Sequence, residues 1–562
     1  MSLTSDLQNA FRSYQSGALN EAEALCAKVR AALPSGHPDV FRLSGMVARK
    51  RGDHRAALDY LKRSLALAPS NPETLNVLGL VRVDAGQPEA AADVFRQALA
   101  AKPDYGPAKL NLARALKAIG RESEALEIYG DITRTAGASD HVRAEHAELQ
   151  IRLGHAENAL AILPETSTDA EISYARLHAL SQLQRDEEAL QLGRRILSMH
   201  PDHVPALRAC AQLLWMTQGR EAVDAMFEQA LSDGGGEMTY LRYMKALIQM
   251  EDYEAAQSVG ERARQVLGQH AVLENLFADA QVEAGLGAAA LASARRAFAL
   301  APDDLVVASN LARAQLMTGD GAGALDTARR ARARTPDDQF WIAIEGDALR
   351  QLGDPAYHDL MRFEDLARPF KLEAPDGYAD IAAFNAALLE RLDHLHRYAR
   401  HPLDQSLRLG SQTSLDLKRS DDPVFKAFFK ALDAPIRAYM DLMPKDDRHP
   451  LFRRKTGNYQ FAGAWSVKLG PDGRHVSHVH PEGWISSAYY VHVPDQVAGA
   501  PDREGWIEYG IPPFAIPGME AAQRAIEPAA GTLALFPSYM WHGTRKIRSG
   551  NRITIAFDVV PV

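Results

Sequence analysis

Cysteine is almost missing from this 562-residue chain: Cys26 and Cys210 stand alone and far apart. Two isolated thiols on helical patterns argue against a disulfide framework or a cysteine-based metal site, and read as small buried apolar residues. Long apolar runs are missing too. Nothing approaches the roughly 18 uninterrupted apolar residues of a membrane-crossing helix, and the first residues, MSLTSDLQNAFRSYQSG, lack the basic and apolar segments of an export signal. The expectation is a cytoplasmic protein with no membrane partner. There is no basic excess: 63 Lys and Arg against 72 Asp and Glu leave a formal charge of −9, so no nucleic-acid partner is indicated. What remains is a globular composition long enough for a solenoid and an enzyme domain.

Self-similarity decides the first two-thirds. Gly52, Gly86, Gly120 and Gly154 lie 34 apart, as do Ala57, Ala91, Ala125 and Ala159; Gly45 and Gly79 keep the interval, and so do Pro69 and Pro103. The phase returns later at Gly285, Gly319 and Gly353, with Pro302 and Pro336. This is the tetratricopeptide period. Glycine permits the tight turn between paired helices, alanine lets them approach, and proline ends the pair. Each pair has an apolar stripe it cannot bury alone, so neighbours stack, and roughly ten units fit before Gly353. Between Thr166 and Gln281 the spacing drifts, although Ala189 with Pro201, and Gly219 with Ala222, still read as helix pairs. The glycine triplet in Ser232–Glu237 lacks a preceding strand and a following Lys-Ser/Thr, so it reads as an inter-repeat loop rather than a phosphate loop. A concave solenoid holds a peptide or protein; the alternative use is homodimerisation.

The predicted division is 1–355 for the solenoid, 356–376 for a connector, and 377–562 for a second domain, with Pro355 and the stretch Arg368–Gly377 marking the joint. In that domain Asp380 can cap a helix presenting Ile381, Phe384, Leu388, Leu392 and Leu395 on one face, and a second helix is expected from Pro423 to Met440. The polar stretch His401–Thr413 between them reads as irregular, either lining a site mouth or forming a surface turn. From Tyr459 onward, short runs rich in Tyr, Val, Ile, Phe and Thr predict antiparallel strands of a barrel enclosing a small pocket.

His478 and His480 sit at i and i+2 on an extended segment, so their imidazoles share one side; His542 arrives from a distant segment. Three nitrogen donors suit a late first-row metal with positions left open. Arg552, ten residues beyond His542, can clamp a carboxylate with two parallel hydrogen bonds. Metal beside clamp suggests a dicarboxylic keto-acid cosubstrate. Tyr490 shares the parity of the two histidines, and Thr554 lies on the face of Arg552. His475 and His492 read as ordinary packed or solvated histidines. Glu482 has the right parity but sits between Pro481 and Gly483, where a turn is expected. Asp558 reads as a strand-end hydrogen-bonding residue, and Trp541 as a shield over the site.

His478-x-His480, His542 and Arg552-x-Thr554, together with HVHPEGWISSAYYV, LFPSYMWHGT and NRITIAFDVVP, resemble the double-stranded β-helix of Fe(II)/2-oxoglutarate-dependent oxygenases, in particular a bacterial group that follows tetratricopeptide repeats. The resemblance covers the last third of the chain. It implies a multidomain protein, an all-α solenoid followed by a jelly-roll (cupin-like) barrel with flanking helices. It implies Fe(II) on His478, His480 and His542; 2-oxoglutarate held by Tyr490, Arg552 and Thr554; and O2 as oxidant, giving succinate, CO2 and a hydroxylated product. The family pattern has Asp or Glu where this chain has His480. That change removes one negative charge from the ligands around the metal, and the bulk of the imidazole argues against the halide site of halogenase relatives. Zinc, copper and nickel also suit three imidazoles. The repeats favour a protein or peptide substrate, an order of domains resembling aspartyl/asparaginyl β-hydroxylases. The alternatives are a small-molecule oxygenase whose repeats bind a partner, and a non-catalytic scaffold.

Overall fold

A computed structural model describes residues 3–33, 35–135, 137–396, 398, 400–413 and 416–562. The chain divides into two compact units, Met1–Ser167 and Thr168–Val562.

Among the described residues the first unit is five helix pairs, from Leu3–Gln15 with Leu19–Ala32 to Asp140–Arg152 with Ala156–Ile162. The 34-residue glycines end the first helix of the second to fifth pairs: Gly52, Gly86, Gly120 and Gly154 have φ between 70 and 82°, a region closed to most side chains. Ala57, Ala91, Ala125 and Ala159 are fully buried where paired helices cross. Gly79 allows the closest approach, since a methyl group there would sit 2.3 Å from the Phe95 ring. The second unit opens with five more pairs, Ala170–Gln182 to Gly321–Arg334, and the helix Gln339–Leu352. Where the period drifts, pairing persists. The glycine triplet is a loop, held by Asp202, whose carboxylate accepts from the backbone N–H groups of Gly236 and Thr239.

The β domain follows as strands β1 (Arg368–Lys371), β2 (Leu407–Gln412), β3 (Tyr459–His475), β4 (Ile485–His492), β5 (Ile507–Tyr509), β6 (Arg524–Ile526), β7 (Thr532–Pro537), β8 (His542–Thr544) and β9 (Arg552–Pro561). Six form one antiparallel sheet in the order β1-β7-β4-β9-β3-β2, and three form a second, β6-β5-β8. Helix Ile381–Asp393, capped by Asp380, buries Phe384, Leu388 and Leu392 against the larger sheet with Tyr489 and Leu533. The helix expected over 423–440 is instead two, Pro423–Ala431 and Asp433–Asp441. Pro435 has no N–H for the carbonyl of Ala431 and its ring crowds that group, so the axis breaks at Leu432.

Two stretches read as irregular are strands. β1 lies within the expected connector, and β2 within His401–Thr413, with a register shift beside Leu409 and Gly410. Both are edges of the larger sheet, where proline, glycine and charge are tolerated and blunt further pairing. The last repeats and the barrel share apolar cores: Ile342 and Leu349 belong to the one that holds Tyr509 and Leu535, and Ala312 and Ile344 to the one that holds Phe514 and Trp541. Cys26 and Cys210 are buried, with thiols pushed up by desolvation to about 11 and about 12. Among the described residues no helix is long and apolar enough to cross a membrane.

Candidate metal centre

The segment 476–480 leaves β3 as extended chain and touches β8 through one bridge, His478 N–H to His542 O and His542 N–H to His478 O, both 3.0 Å. That bridge brings the three imidazoles together, with one ligand nitrogen from each within 4.8 Å of the others. Ring centroids are 5.1 Å apart for His478 and His480, 4.2 Å for His478 and His542, and 5.1 Å for His480 and His542.

Hydrogen bonding fixes which nitrogen is free. Nδ1 of His478 faces the Val476 carbonyl and Nδ1 of His542 the Met540 carbonyl, each at 2.9 Å. A carbonyl only accepts, so both Nδ1 atoms carry the proton. Burial holds both rings neutral, with His478 pushed down to about 3 and His542 well below the ordinary range. The lone pairs are therefore on Nε2: that of His542 is free, and that of His478 is within 3.3 Å of the Ser406 hydroxyl, which can donate to it. His480 Nδ1 lies 2.7 and 2.6 Å from the two carboxylate oxygens of Asp558, which also accepts from Ser486 at 2.6 Å. A carboxylate behind an imidazole orients the ring and raises the basicity of its far nitrogen.

The three histidines line one cavity of about 550 Å³ with Tyr490, Arg552 and Thr554. Register explains the grouping: Tyr490 on β4 is paired directly with Thr554 on β9, two residues from Arg552 on the same face. Arg552 is 2% exposed and donates from Nη1 to the Gly505 carbonyl, while its Nε has no partner. Its guanidinium lies 5.6 Å over the Tyr490 ring, and the buried Tyr490 hydroxyl is also unpartnered. Burial raises that hydroxyl to about 12, so it remains a donor. Arg552 is the one Arg or Lys among the described lining residues. A buried cation and a buried donor, both unpaired, are costly until an anion accepts from them. Three clustered imidazole nitrogens and this anion-seeking pair fit iron and a keto-acid carboxylate.

Other side chains fall differently. Glu482 lies exposed on the turn after Pro481 and is outside the imidazole group. His492 is exposed at the end of β4. His475 is closer to the chemistry than its sequence context implied: it lines the cavity, with its ring 5.8 Å from His478. Trp541 does not shield the site. Its indole turns into the core of the last repeats, and the aromatic residues beside the group are Trp465, 5.6 Å from His480, and Phe536, 4.6 Å from His542. Sequence reasoning passed over Trp465, whose inward parity on β3 was the available signal. It also left unassigned Gln405, Ser406 and Gln412, which line the cavity. Ser406 Oγ sits 3.2 Å from His475 Nδ1 and 3.3 Å from His478 Nε2.

Comparison with known proteins marks out the same two regions. Residues 463–558 match a family model described as "Putative 2OG-Fe(II) oxygenase", and residues 42–106 and 82–149 match tetratricopeptide-repeat models. The chain thus carries tetratricopeptide repeats in its N-terminal region and a domain of that oxygenase family at 463–558. No curated protein matches it. Similar solved structures include a tetratricopeptide repeat protein from Parabacteroides merdae (16% identity, TM-score 0.34, covering 43% of this chain and 98% of that one). Two others are the APC/C hetero-tetramer Cut9-Hcn1 (11%, 0.28, 62% and 90%) and yeast Tom70 (10%, 0.33, 63% and 89%).

Proposed function

We propose that this chain is an Fe(II)/2-oxoglutarate-dependent dioxygenase that hydroxylates a protein or peptide substrate recruited by its repeats. The observation that carries the reading is the sharing of one cavity by three orientation-locked imidazoles and a buried guanidinium without an anion. His478, His480 and His542 would hold iron through Nε2, with Asp558 restoring behind His480 the charge that a carboxylate ligand would have supplied. Arg552 and the Tyr490 hydroxyl would donate to the far carboxylate of 2-oxoglutarate, with Thr554 alongside. Iron, 2-oxoglutarate and O2 together supply the oxidation, yielding succinate, CO2 and a hydroxylated substrate. The chain's own part is to orient these groups and exclude water; Trp465 and Phe536 supply apolar wall.

Recruitment through the repeats follows the ordinary use of a stacked solenoid surface. The small-molecule alternative has one observation in its favour: Phe514, Ile516 and Met519 of the β domain already bury themselves against the last repeats. Succinate release by the intact chain, supplied with iron and 2-oxoglutarate, separates these readings. Stimulation by the polypeptide fraction of a cell extract supports the proposal. Stimulation by the metabolite fraction alone transfers it to small molecules, and no succinate in either leaves a scaffold.

A further inference from the structure

Lys245, Asp279, Arg313 and Asp347 are spaced 34 apart and occupy the same position in the first helices of successive units. Stacking places such positions side by side, and the alternating signs make a ladder. Lys245 lies 2.8 Å from Asp279, which lies 3.1 Å from Arg313. The fourth rung turns elsewhere. Asp347, 3% exposed, accepts a hydrogen bond of 2.7 Å from Nε1 of Trp541 in the β domain.

Trp541 immediately precedes His542 and is held on every side. Phe340 and Phe514 meet its ring edge-on, each at 6.2 Å and 89°. Its carbonyl accepts from Gly510 N–H at 2.9 Å, and the Gly510 carbonyl accepts from Arg350, on the helix that carries Asp347, at 3.0 Å. From this clamped residue the chain passes directly into the backbone bridge between His542 and His478.

We infer that Asp347, in the last repeat helix, is a positioning residue for the metal centre: by holding the Trp541 indole it fixes the backbone from which His542 enters the cavity. The repeats then complete the site as well as recruiting to it. This rests on reading the three imidazoles as a metal centre. Groups hydrogen-bonded directly to a ligand typically change metal affinity about 10–100-fold when removed, and Asp347, acting through Trp541, falls at the lower end of that range.

Cobalt(II) titration of the intact chain, followed by its visible absorption, tests this without turnover. Asp347→Leu and Trp541→Phe are each expected to weaken cobalt binding about tenfold or more, and the double variant to bind no more weakly than either single one. Asp347→Asn keeps an acceptor oxygen for the indole and should bind like the parent. Leu and Phe variants with parental affinity, whatever their thermal stability, would overturn the inference, as would an Asn variant as weak as the Leu one. Should the Leu variant not fold, Trp541→Phe against the parent decides. A parent chain with no cobalt spectrum sensitive to His542→Ala would instead remove the metal reading itself.

Discussion

Both carboxylate oxygens of Asp558 stand within 2.7 Å of Nδ1 of His480, so the imidazole that occupies the family's carboxylate position has a carboxylate at its back. Negative charge is displaced by one ring rather than lost. Asp558→Asn should therefore lower metal affinity about 10–100-fold, with the histidines intact. A competition titration against a coloured chelator measures it, and parental affinity would show Asp558 to be structural only.

Arg552 makes a different prediction because the proposed function assigns it to the cosubstrate. Arg552→Ala should raise the 2-oxoglutarate concentration needed for half-saturation about a hundredfold, as expected for losing a buried charged hydrogen-bond partner. Cobalt affinity should stay unchanged. Arg552→Lys should not rescue fully, since an ammonium cannot reproduce the planar two-donor geometry. Unchanged 2-oxoglutarate dependence would remove Arg552 from the clamp.

Asp347 gives a pH dependence. Desolvation pushes its carboxyl up to about 7, against which Arg350, its charged neighbour, pulls weakly, while the Trp541 N–H donates to it. The folded chain therefore keeps a proton that the unfolded chain releases near pH 4, and this group's contribution to stability declines between about pH 4 and pH 7. Asp347→Asn has no such titration. Its melting temperature relative to the parent should rise as pH goes from about 5 to about 8, and a constant difference would contradict the assignment.

In the first unit, Gly79 faces the Phe95 ring with no room for a methyl group. Gly79→Ala should cost about 1–3 kcal/mol by overpacking, read as a lower denaturation midpoint for that unit. Gly130, whose nearest neighbour is the end of the Arg134 side chain at 3.9 Å, is the control. Alanine there should be neutral or stabilising.

Much of this molecule was legible in its sequence, for identifiable reasons. A 34-residue period survives in single residues because each repeat meets the same neighbour, so Gly86 and Ala91 are constrained by the stack itself. His478 and His480 were legible because strand parity is local. The unread parts depend on partners distant in the chain. β1 and β2 look like connectors because edge strands carry the proline, glycine and charge that interior strands exclude. Trp541 was placed over the site by adjacency to His542, but strand alternation sends neighbours to opposite sides, and the polar partner of its indole is 194 residues away. The fourth rung at Asp347 went unread, because its partner Trp541 lies far away in the chain.

The central claim is that His478, His480 and His542 hold one iron beside a 2-oxoglutarate clamped by Arg552. Anaerobic addition of Fe(II) and then 2-oxoglutarate, followed by the weak visible charge-transfer band of the chelate, addresses it most directly. The account predicts a stoichiometric band in the parent, none in His542→Ala, and one needing far more 2-oxoglutarate in Arg552→Ala. No band in the parent, or an undiminished band in His542→Ala, would contradict it.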